Sequence, residues 1–101
     1  HQILNDRHFA GRLRPIPIRL SDGMTRRLGE YAIHSPGQAA EIVLSHRHIR
    51  RDGWQAATET LLHEMVHQWQ YESGLPVDHG AEFRARAREV GIHPGATKPL
   101  C

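Results

Sequence analysis

Between residues 54 and 72 apolar side chains recur with the period of an α-helix. Leu61, Leu62, Met65, Val66 and Trp69, joined by Thr58, fall on one contiguous arc when each residue advances about 100°. No Pro or Gly interrupts the run. Asp52 stands before it as an N-cap with Gln55 three residues on, and Gly74 and Pro76 close it. The spacing predicts one capped helix whose apolar arc faces a core and whose other side is left for other work. A second helix is predicted over 80–90, carrying Phe83, Ala87 and Val90 at i, i+4 and i+7, with Gly91 and Ile92 as a Schellman end. Upstream the period shortens. Ile18-Arg19-Leu20 alternates, Ser21-Asp22-Gly23 reads as a turn, and 28–33 and 40–44 are short apolar or alternating runs between turn residues. These predict three short strands of one small sheet. Ile3, Leu4 and Phe9 mark the closing turns of a further helix ending near Gly11. The fold class is α+β, a small three-stranded sheet followed by two helices.

Composition narrows this picture without redirecting it. A length of 101 residues suits one core, and 39% hydrophobic with 24% charged residues is globular rather than disordered. The net charge of +2, from thirteen basic residues of which all but Lys98 are Arg, is too mild to imply a nucleic-acid partner by itself. Arg47, Arg50 and Arg51, with His46 and His48, form the denser basic stretch. It reads as a solvated loop and as the better place for DNA, whereas Arg84, Arg86 and Arg88 read as a solvated helix surface. Trp54 and Trp69 both read as core. No run of about 20 apolar residues predicts a membrane span, and the lone Cys101 has no intrachain disulfide partner. The expected setting is reducing, cytoplasmic or, in a eukaryote, nuclear. The start at His1 and the stop at Cys101 are read as the cut ends of a single domain from a longer chain.

The departure that matters is nine histidines, scattered along the chain rather than gathered as a tag. Residues 63–67 read His63-Glu64-Met65-Val66-His67, the HExxH pattern. On a helix the two imidazoles lie one turn apart on one side and can bind a single Zn²⁺. Here that side is opposite Met65 and Leu61 and is flanked by Ala56, Thr60 and Gln70, so a cleft is expected over it. Glu64 lies one residue round from His63, where a carboxylate can act as general base.

Catalytic zinc sites generally use three protein ligands, so a third is required. Gln70 and Ser73 exclude the pattern HExxHxxGxxH. His79 is the best candidate, because Gly74, Pro76 and Asp78 turn the chain back and set it at the start of the second helix. Glu82, Glu89 and His93 are its rivals. Asp78 and Glu82 are candidates to orient the ligands, and Tyr71, Tyr31 or His93 to stabilise an oxyanion. The strand 41–45 is a candidate edge for holding an extended peptide.

The run Thr60-Leu61-Leu62-His63-Glu64-Met65-Val66-His67 and the segment Asp78-His79-Gly80-Ala81-Glu82-Phe83 resemble the SprT-like, Spartan-type zinc metallopeptidase family. Asn5, Phe9, Gly11, Leu13, Gly29 and Glu41-Ile42-Val43-Leu44-Ser45 extend the likeness over nearly the whole chain. The resemblance implies a zincin-like fold, one catalytic zinc ion held by His63, His67 and His79, and Glu64 as base. It also implies a polypeptide substrate and, in Spartan-like members, digestion of proteins crosslinked to DNA. Three classes follow: a zinc endopeptidase, a zinc-stabilised binding module without protease activity, and a nucleic-acid-binding domain with incidental histidines. Glu64 favours the first over the second, since a structural site fills all four positions and needs no base.

Overall fold

The computed structural model describes residues 2–23, 28–33 and 40–92, so His93 and its rival ligand role lie outside the described residues. The elements are α1 (Gln2–His8), β1 (Ile18–Ser21), β2 (Gly29–Ala32), β3 (Glu41–Ser45), α2 (His46–Glu72) and α3 (Ala81–Glu89). The α+β class and the three strands agree with the sequence pattern.

The strands form one sheet in the order β1-β3-β2. β1 runs parallel to β3 with Arg19 opposite Val43, and β2 runs antiparallel with Tyr31 opposite Ile42. This corrects the expectation of a peptide-holding edge at Glu41–Ser45. β3 is the central strand, bonded on both sides, and Ile42, Val43 and Leu44 are all buried. An unbroken apolar run is what a strand covered on both faces requires. β2 approaches α2 so closely at Gly29 that a Cβ there would stand 2.8 Å from Thr60 Cγ2 and 3.3 Å from the Val43 carbonyl oxygen. Only glycine permits that approach.

The helix expected from Trp54 follows directly on a kink at Gly53, and a further helical segment that the pattern did not predict precedes it, starting at His46 with Ser45 as N-cap accepting from the His48 amide at 3.2 Å. The two segments of α2 meet at Gly53, whose φ of 88° and ψ of 177° break the helical run. Asp52 is therefore not a cap. Its carboxylate instead receives His48 Nδ1 at 2.6 Å and Arg51 Nη2 at 2.9 Å. The stretch read as a basic loop is helical because Ile49 and His48 turn inward from it. Trp54, expected in the core, is 73% exposed just past the kink.

The apolar arc of α2 is only partly as expected. Leu62, Met65 and Val66 are core, Leu61 and Trp69 pack against it half-buried, and Thr58 is exposed. The side expected to line a cleft is itself largely buried, because Gly29 of β2 comes up against Thr60 and Phe83 packs on the His63 and His67 rings. Polar side chains nearer the apolar arc hold neighbouring chain. Gln68 Nε2 donates to the Arg14 carbonyl at 2.9 Å, and Glu72 Oε1 accepts from the Arg14 amide at 3.0 Å. Asn5 clamps the same strap, donating to the Leu13 carbonyl and accepting from its amide.

α3 docks on α2 through Phe83, Ala87 and Val90 and ends in the expected Schellman bonds, Ile92 N to the Ala87 carbonyl and Gly91 N to that of Arg88. Arg86, read as solvated, lies between two rings, 5.2 Å from the Phe9 centroid and 5.0 Å from that of Trp69. That cation–π pair ties α3 to α2 and to the end of α1. No helix among the described residues is long and apolar enough to cross a membrane.

Candidate metal centre

His63 and His67 project one turn apart from the middle of α2, and His79 meets them from the loop before α3. His79 Nε2 lies 3.2 Å from His67 Nε2 and 3.3 Å from His63 Nε2, and one ligand atom from each of the three lies within 4.8 Å of the others. Among the described residues no other set of three His, Cys, Asp or Glu side chains converges in this way. Glu82 and Glu89, the rivals to His79, are not part of it. His63 and His67 are buried and His79 is exposed, so the cluster is closed on the α2 side and open toward the loop.

Phe83 makes the apolar floor. It is fully buried, and its ring centroid is 4.8 Å from His63 and His67 and 4.9 Å from His79, stacked on His67. Such packing fixes the three imidazole planes without competing for their nitrogens. Glu64 is fully buried beside them on α2. The donor set fits a borderline transition-metal ion and not Ca²⁺ or Mg²⁺, which take oxygen ligands. The spacing fits as well. Tetrahedral ligands at about 2.05 Å from zinc stand about 3.3 Å apart.

The expected orienting carboxylates do not meet the imidazoles. Gln70, which the helical wheel put only at the flank of the pair, does so: its Oε1 lies 2.9 Å from His67 Nδ1, and its Nε2 donates to the Asp78 carbonyl at 3.0 Å. The Asp78 carboxylate accepts from the Gly80 amide and shapes the loop. Sequence reasoning passed over Gln70 because metal-bound imidazoles most often lean on carboxylates or carbonyls, and an amide on a helix carries no such signal.

A profile of the SprT-like family matches residues 1–99. The chain belongs to the SprT-like family. It is 30% identical over 97 residues to the DNA-dependent metalloprotease SPRTN of Bos taurus, covering 93% of this chain and 20% of that protein. The SPRTN proteins of Rattus norvegicus and Mus musculus are 30% identical over 95 residues, covering 91% of this chain and 19% of theirs. The chain thus spans about a fifth of the length of the curated relatives it matches. No solved structure matches it significantly.

Beyond the cluster, the two tyrosines considered for oxyanion duty pack against each other, with centroids 6.1 Å apart. Burial, then the Glu72 carboxylate, then Tyr71 push the Tyr31 phenol from 10.0 up to about 12. Tyr71 is half exposed and lies one turn beyond His67 on α2. Near the kink, the Arg51 guanidinium, with the His48 imidazole, holds the Asp52 carboxyl below its ordinary value. His48, read as part of the solvated basic stretch, is 2% exposed and also meets Thr60 Oγ1 at 3.2 Å, one turn before His63.

Proposed function

We propose that this chain is the catalytic domain of a zinc-dependent metalloendopeptidase with a zincin-like active-site helix. His63, His67 and His79 are its metal ligands and Glu64 its general base. The observation that carries this reading is the convergence of three imidazole Nε2 atoms, two from an HExxH helix and one from the loop after it. When bound, a zinc ion supplies a Lewis acid and brings the pKa of its water to about 7.

The chain's own residues supply the rest. Glu64 accepts a proton from the attacking water as its oxygen bonds to the scissile carbonyl carbon, then delivers that proton to the departing amine nitrogen as the C–N bond breaks. Phe83 keeps water from the buried side of the imidazoles. The loop 77–80 is exposed and is the side from which a polypeptide reaches the site.

The relatives' DNA dependence supports DNA as a partner here, with DNA-associated or DNA-crosslinked proteins as substrates. On this chain the exposed Arg47 and Arg50, followed by the exposed Trp54, are the surface that fits a nucleic-acid strand.

The test compares the wild type with Glu64→Gln for cleavage of an unfolded protein, with and without single-stranded DNA, after one bound zinc has been verified in each. The expected outcome is loss of cleavage by at least about 100-fold in the variant at unchanged zinc content. Equal cleavage would remove Glu64 from its role, and inactivity of both zinc-loaded proteins would favour the binding module.

A further inference from the structure

We propose that Gln70 is a positioning residue that sets the tautomer of His67 and ties the loop bearing His79 to the same helix, an inference that rests on the metal-ligand reading above. The geometry begins at the acceptors. Gln70 Nε2 reaches the Asp78 main-chain oxygen at 3.0 Å and the Asp78 carboxylate at 3.4 Å. A carbonyl and an ionised carboxylate only accept hydrogen bonds, so the NH₂ side of the amide must face them. That leaves Oε1, an acceptor, 2.9 Å from His67 Nδ1. A neutral His67 must then carry its hydrogen on Nδ1, which leaves the lone pair on Nε2, the atom 3.2 Å from His79 Nε2.

The same amide works at both ends. Asp78 precedes His79 directly, and its Oδ1 accepts from the Gly80 amide at 3.0 Å, so the Gln70 side chain grips the turn that delivers the third imidazole. Gln70 is 0% exposed, and water does not compete for either bond. One side chain on α2 thereby fixes the proton of one ligand and the position of another. The partner at His67 Nδ1 is a neutral amide, which adds no charge beside the site.

The experiment uses the full chain and zinc alone. In metal-free wild type, long-range ¹H–¹⁵N spectra are expected to show His67 protonated on Nδ1. Gln70→Leu removes acceptor and donor together and is expected to mix the tautomers and weaken the zinc Kd, by chelator competition, about 10- to 100-fold. Gln70→Glu keeps the acceptor and loses the grip on Asp78, and is expected to retain the Nδ1 proton with an intermediate Kd. His67 protonated on Nε2 in the wild type, or a folded Gln70→Leu protein weakened by less than about threefold, overturns the proposal. If Gln70→Leu does not fold, the wild-type and Gln70→Glu spectra decide. A wild type that binds no zinc sinks the metallopeptidase reading, whereas the tautomer is read in metal-free protein and stands or falls separately.

Discussion

Burial keeps the Tyr31 phenol neutral far into alkaline solution, with a pKa near 12 against 10.0 in its ordinary state. In the unfolded chain the phenol loses its proton first, so between those values the unfolded state binds fewer protons than the folded one. The contribution of this phenol to stability is therefore fully present below pH 10 and is lost as pH rises from 10 toward 12. Tyr31→Phe removes the titrating group. Urea unfolding across that window is expected to show a falling midpoint in the wild type and a flatter one in the variant; parallel slopes would place the alkaline loss elsewhere. At this scale His63, Glu64 and His67 were legible because a helix fixes side chains at i, i+1 and i+4 without outside help. Gln70 was not, because the Asp78 carbonyl that orients its amide toward His67 is eight residues on, and only the return of the chain brings it there.

At the scale of elements, α2 is two helical segments that share one axis of function. Its first segment is closed by His48, which spans the kink from Asp52 to Thr60. Gly53 has open space around it, so crowding does not explain the glycine; its φ of 88° and ψ of 177° do. That backbone region is essentially confined to glycine. Gly53→Ala is expected to cost about 1–3 kcal/mol in chemical denaturation even though the added methyl meets nothing. A cost near zero would mean that the two segments straighten into one helix. The sequence pattern starts this helix at residue 54 because Ile49 is the lone apolar residue among basic neighbours and makes no period. The opposite face was misjudged for a related reason. Periodicity ranks faces by polarity, and Thr60, His63, His67 and Gln70 are polar yet covered, by β2 at Gly29 and by Phe83 and the loop before α3.

For the whole molecule, the candidate site is a joint between α2 and the loop that leads to α3, with Phe83 as its packed underside. A metal that binds only the folded arrangement stabilises it by mass action, by about 4 kcal/mol when free zinc is a thousandfold above Kd. Thermal unfolding is expected to move upward with zinc and back with a chelator. His79→Ala is expected to lose most of that increment while leaving the metal-free melting temperature little changed, because His79 is exposed. A variant that keeps the full zinc increment would point to a different third ligand.

Local chemistry along the chain was enough for the α+β class, the three strands, both helix ends at Gly74 and Gly91, and the pairing of His63 with His67, all of which depend on residues within a turn or two of each other. The three-dimensional fold alone decided that β3 lies between β1 and β2 rather than at an edge, and that the face bearing the histidines is buried. It also decided which of several candidates stands beside the pair, His79 and not Glu82 or Glu89. Those outcomes are set by contacts between segments far apart in sequence, where the competition is among whole packings and no single residue carries the signal.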